Sequence, residues 1–97
     1  MPEGVRRQLS VKLQYLRHGQ PLSGVRSWSG IGPRGCELAS GGYRMVVTTE
    51  FEGTIYVLHA FKKDGPRGRK TRKHHSDLVS RRYRELCAEV AARMSKQ

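Results

Sequence analysis

Acidic residues are scarce in this chain. Eight Asp and Glu stand against 19 Lys and Arg, leaving a formal net charge of +11 and a pI near 10.5. A domain so positive must find anions, so its partner classes are nucleic acid, an acidic protein or an anionic membrane surface. Cysteine is nearly absent as well. Cys36 and Cys87 lie far apart and follow no metal-binding or redox spacing, which argues against a disulfide framework and predicts reduced thiols in a cytoplasmic protein. No apolar run approaches the roughly 20 residues of a membrane span. No apolar h-region of a signal peptide is visible at the start of the chain. His59, His74 and His75 have no carboxylate or cysteine at ligand spacing, so no metal or other cofactor is expected.

What remains is a lean domain. In 97 residues, 36% are apolar and 28% charged, enough for one small core in which each large apolar side chain counts. Pro2 to His18 predicts a helix, because Val5, Leu9, Leu13 and Leu16 recur on a 3.6-residue period. Gly19 suits its C-terminal stop. Residues 19 to 35 read as a loop rich in glycine and proline, tied down by Trp28 and Ile31. Strands are expected at about 36–40, 43–50 and 54–61, the last two forming a hairpin around Glu52-Gly53. Alternation places Ile55, Val57, His59 and Phe61 on one face and Tyr56, Leu58 and Ala60 on the other. Both faces are apolar, which predicts a central strand. A basic loop at 62–75 leads to a helix at 76–94, with Ser76 as N-cap and Val79, Tyr83, Leu86, Val90 and Met94 as its buried stripe. The fold class is α+β: a small antiparallel sheet of three to four strands packed against an N-terminal and a C-terminal helix.

The charge is concentrated. From Lys62 to Arg84 there are ten Lys and Arg against Asp64 and Asp77, so +8 of the total +11 lies in this segment. It springs from the end of a strand, where a sheet can aim a loop at a ligand. The plain alternative is a solvated basic loop. The functional reading is a phosphate-binding surface made by Arg67, Arg69, Lys70, Arg72, Lys73 and Arg81, whose affinity for nucleic acid would depend on salt.

The stretch "GIGPRGCELASGGYRMVVTTEFEGTIYVLHAFKK" resembles the phage-derived RelE/HigB-like toxins of type II toxin–antitoxin systems. The elements that carry the resemblance are Gly32 to Leu38, the Tyr43-Arg44 pair, Tyr56 to Lys63, Thr71 with Lys73, and Asp77-Leu78 with Arg81 and Arg82. It covers about residues 2 to 90, and "YVLHAFKK" is its most specific part. Two departures stand out. The chain starts at "MPEG", almost at the first helix, where the family usually has a β-strand: either that strand is missing or the start site differs. The loop "DGPRGRKTRKHH" is longer and more basic than is usual. On the first alternative the sheet has an open edge that an antitoxin or a second copy can pair with.

The resemblance implies a microbial-ribonuclease-type fold and an mRNA endonuclease acting on the ribosome, neutralised by a helix-turn-helix antitoxin. Two further readings stay open: a protein of the same fold that binds nucleic acid or a host protein without cutting, and a ParE-like gyrase poison. Metal-independent RNA cleavage uses the 2′-hydroxyl as nucleophile, and needs a base for its proton and cations for the phosphorane. By matching position, Arg44 would stabilise that phosphorane, Lys62 and Lys63 would hold the phosphate or exchange its protons, and Lys73 and Arg81 would contact the backbone. His59 is the histidine placed to act as base. Each has a structural alternative: Arg44 pairing with Glu50 or Glu52, the lysines as a charged strand end, and His59, Tyr83 and Trp28 as packing residues.

Overall fold

A computed structural model of the chain describes residues 1–20, 24–51, 54–63 and 68–95, with the backbone alone described for 68–71. The order of elements is α1 (Glu3–Arg17), β1 (Val25–Ser27), β2 (Gly35–Ser40), β3 (Tyr43–Thr48), β4 (Tyr56–Lys62) and α2 (Gly68–Ser95). The four strands form one antiparallel sheet in the order β1-β2-β3-β4. The fold is therefore α+β, with a helix at each end of the chain and a four-stranded meander between them.

The apolar stripe of α1 forms as its spacing demands. Leu9 is buried, Val5, Leu13 and Leu16 are half-buried, and Gly19 ends the helix at a φ of 68°. At that angle a side chain would be strained, which is why a glycine serves. Both faces of the sheet are covered, because the consecutive residues Val46 and Val47 are each fully buried. Val46 joins Ile31, Leu58, Val79 and Leu86 in the core under α2. On the opposite face lie Leu38 and Val47, beneath α1. There Lys12 donates to the Ala39 carbonyl, and the Ser40 hydroxyl donates to Gln8.

Four features differ from the sequence-based expectation. A short strand, β1, arises inside the segment read as loop, because Val25 to Ser27 pair with Cys36 to Leu38. Three residues carry too little periodicity to be seen. β4 is at the edge of the sheet, not its centre: among the described residues no strand pairs with its outer side. One of its faces packs under α2, while Val57 on the other is 49% exposed. The alternation along β4 is also broken. Val46 pairs with His59 and Val47 with Val57, so Leu58 is the extra residue of a bulge and falls on the α2 face along with His59 and Phe61. Bulges re-aim side chains in this way.

The fourth difference is the largest. α2 begins at Gly68, and Ser76 and Asp77 lie inside it and do not cap it. Lys and Arg are good helix formers, and the breakers of the segment end at Gly68. Within α2 the expected stripe packs as read at Val79, Tyr83, Leu86 and Val90, whereas Met94 is 70% exposed. The Glu52-Gly53 turn lies outside the described residues.

The segment before β2 is anchored through its apolar residues. Ile31 is fully buried, Trp28 packs edge-on against Phe61 with ring centroids 6.4 Å apart, and the Trp28 amide donates to Gly35 O at 2.9 Å. A Cβ on Gly35 would land on Ile31 Cγ1 and within 3.0 Å of the Trp28 carbonyl. Gly35→Ala would gain ~0.4–1 kcal/mol through the unfolded chain if nothing clashed. Overpacking at a fully buried isoleucine costs ~1–3 kcal/mol, so the clash wins. The expected result is a net loss of ~1–2 kcal/mol, measured by urea denaturation; an unchanged midpoint would show that Ile31 can move aside.

Candidate nucleic-acid interface and active site

β4 and α2 run antiparallel and meet along one stripe of the helix. His75, Val79, Arg82 and Leu86 follow at i, i+4, i+7 and i+11, the spacing of one helix face. Val79 and Leu86 enter the core. His75 and Arg82, one turn to either side of Val79, reach His59 on the strand. His59 Nε2 lies 2.8 Å from His75 Nδ1, and Arg82 Nη1 lies 3.1 Å from His59 Nδ1 and 2.9 Å from Leu58 O. Phe61 supports this group from below. Its ring stacks on His75 at 4.1 Å and 18°, and on His59 at 5.4 Å and 20°.

The hydrogen bonds decide the proton positions. A guanidinium only donates, so His59 Nδ1 accepts from Arg82. The neutral ring then carries its proton on Nε2 and donates it to His75 Nδ1. This arrangement holds His59 neutral. Burial lowers its pKa from the ordinary histidine value, and electrostatic opposition from His75, Arg82 and His74 lowers it further. A histidine so placed is unprotonated at neutral pH and has the capacity of a base.

Arg44 shares this sheet face. It lies opposite Phe61 and diagonal to His59. Its Nη1 donates to Gly41 O and Tyr43 O, each at 2.9 Å, and its Nε is 3.8 Å from Glu37 Oε1. Glu37 is thus the carboxylate beside Arg44. Glu50 instead accepts from the Tyr83 hydroxyl at 2.5 Å, a bond that raises the tyrosine pKa, and Glu52 lies outside the described residues. Arg44 therefore clasps the β2–β3 turn. Arg44→Ala is expected to cost ~1.5–3 kcal/mol, as for hydrogen bonds to a charged group. Arg44→Lys should restore little, since an ammonium lacks the planar fork. Thermal melting of both variants checks this, and an unchanged melting point would leave Arg44 with no structural part.

The other expected residues divide. Lys62 pairs with Tyr43, so the pleat sends it to the face opposite His59. Lys63 follows the strand, is exposed, and donates its amide to Gly42 O at 2.7 Å. Arg72 and Lys73 are exposed in the second turn of α2, beyond the end of β4. Arg81 is exposed and 4.0 Å from Glu85 along the helix. Arg67 and the side chains of Arg69 and Lys70 lie outside the described residues. The first turn of α2 holds no acidic residue, so the positive end of the helix dipole carries added positive charge, an arrangement an anion relieves. The reading of the sequence missed His75 and Arg82 as site residues. The signal was the spacing of seven around Val79, visible once the helix is extended back through the histidines.

The first 84 residues of the chain, 1–84, match the family model described as Phage derived protein Gp49-like (DUF891). The chain belongs to this Gp49-like family. The Gp49-like proteins are of the RelE/HigB-like kind, in agreement with the resemblance carried by "YVLHAFKK". No curated protein and no solved structure matches the chain. The match reaches through α2 as far as Arg84, so His59, His75 and Arg82 all fall inside it. Among the described residues no helix is long and apolar enough to cross a membrane, and no group of three or more His, Cys, Asp or Glu is placed to hold a metal ion. Cys36 and Cys87 are free thiols, and burial raises the pKa of Cys36.

Proposed function

We propose that this Gp49-like protein is the toxin of a type II toxin–antitoxin pair and cuts mRNA on the ribosome without a metal ion. The observation that carries the reading is the neutral His59, bonded to His75 and Arg82 on a rigid sheet face, beside the exposed basic turn of α2. Family membership supports it. In this reading the 2′-oxygen attacks the adjacent phosphorus as the bond from phosphorus to the 5′-oxygen breaks. His59 takes the 2′-proton, and Lys63 and Arg44 add positive charge beside the phosphorane. Water returns a proton to the 5′-oxygen, because Lys62 lies on the face opposite His59, leaving a 2′,3′-cyclic phosphate and a 5′-hydroxyl. Arg67, Arg69, Lys70, Arg72, Lys73 and Arg81 hold the flanking backbone. A helix-turn-helix antitoxin neutralises the protein, and the outer side of β4 is where a strand of that partner, or of a second copy, can pair.

Inducible expression in bacteria tests the reading, with growth and mRNA 5′-ends followed for wild type and His59→Gln. Arrest with new in-frame ends, both lost in the variant, is the expected result. Arrest without new ends would overturn the ribonuclease. DNA breaks in its place would identify a gyrase poison, and arrest with neither would identify a protein that binds without cutting.

A further inference from the structure

Arg82 does two things at once. Its Nη1 alone makes both contacts, to Leu58 O and to His59 Nδ1. Its Nη2 and Nε make no hydrogen bond or ion pair among the described residues, and the side chain is exposed. The Nε–Nη2 edge is the edge of a guanidinium that grips two oxygens of a phosphate together. The same group dictates the tautomer of His59. We propose that Arg82 is the phosphodiester-binding arginine of this face, and that its bond to His59 couples phosphate binding to the uptake of a proton by the histidine pair. The proposal rests on the reading that nucleic acid lies over this face.

The coupling follows from counting donors and acceptors. In the free protein, neutral His59 accepts at Nδ1 and donates at Nε2, so an added proton on Nδ1 must displace Arg82. A phosphodiester that draws Arg82 toward itself uncovers that lone pair. It also brings a negative charge among the cations that oppose protonation. From α2 the permanent cation is Arg82, and the imidazoles of His74 and His75 oppose a further proton beside them. From the sheet, Arg44 faces the same way, partly offset by Glu37. Bound phosphate therefore raises the pKa of His59, which in the free protein lies below its ordinary value. A group whose pKa rises on binding takes up protons on binding. Affinity should thus increase as pH falls from neutrality toward the free-state pKa of His59, and level off below it.

The probe is an oligodeoxynucleotide without a terminal phosphate, so that it titrates no group of its own in this range and offers no 2′-hydroxyl to cut. Titration calorimetry at about pH 6.5, in two buffers of different ionisation enthalpy, counts the protons taken up. The expected result is an uptake between zero and one proton that vanishes near pH 8. The uptake should be lost in His59→Gln and in Arg82→Gln, with affinity at least about tenfold weaker in the latter. The double variant Arg72→Gln/Lys73→Gln should bind more weakly yet keep the uptake, because those residues touch neither imidazole. Binding without proton exchange, uptake that survives His59→Gln, or unchanged affinity in Arg82→Gln would each overturn the proposal. Should Arg82→Gln fail to fold, Arg82→Lys and the NMR titration of the wild-type His59 ring serve instead. A His59 pKa that does not rise on adding the oligonucleotide overturns the coupling. A protein that binds with proton uptake but cuts no mRNA keeps this inference and loses the ribonuclease reading.

Discussion

His59→Gln is expected to lower RNA cleavage by about 100- to 10 000-fold at neutral pH, the range over which a general base contributes. Glutamine keeps an amide N–H near the place of Nε2, so the contact to His75 survives in kind and the fold should hold. What it lacks is a group that can take a proton. The pH profile separates this from a packing defect. The wild-type kcat/KM should rise with pH through the free-protein pKa of His59, which burial and the neighbouring His75, Arg82 and His74 place below the ordinary 6.5. The variant should lose that limb, with its melting temperature nearly unchanged. Cleavage of a labelled mRNA in the presence of ribosomes, followed across pH, is the measurement. Activity within threefold of wild type would reduce His59 to a structural link between β4 and α2.

The second large effect is on binding. If six of the exposed cations along Lys62 to Arg84 meet phosphates, affinity for single-stranded nucleic acid should fall by roughly two to three decades between about 50 and about 200 mM salt. The reason is counterion release, about 0.7 ions per contact on a single strand. Arg72→Gln/Lys73→Gln should make the salt slope shallower by about 1.4 without changing base preference. Arg72 and Lys73 are the critical pair because they overhang the strand end on a helix whose first turn has no acidic residue to neutralise them. Fluorescence anisotropy at several salt concentrations reads the slope. A slope near zero would mean that the basic segment faces something other than a phosphate chain.

Much of this molecule was legible in the order of its residues. The leucine stripe of α1, the hairpin of β3 and β4, and the burial of Ile31 and Trp28 follow from local period and from the need to bury apolar area. So does the family, because "YVLHAFKK" is a local string and survives without knowledge of contacts. Charge concentration after β4 is likewise a property of sequence alone. The positions of the functional groups are not. A charge run can be a loop or a helix on composition alone. Only packing, with Val79 and Leu86 in the core, shows the helix extending back through His75 and Arg72. Strict alternation assigned Leu58 and His59 to opposite faces, and the bulge between β3 and β4 brings them to the same one. The placing of β4 at the sheet edge depends on which strands find partners, a non-local fact. The approach of Arg82, 23 residues away in sequence, to His59 depends on the return of α2 along β4. Local propensity and period decide which elements form; the register of the sheet and the seating of the helix decide which side chains meet.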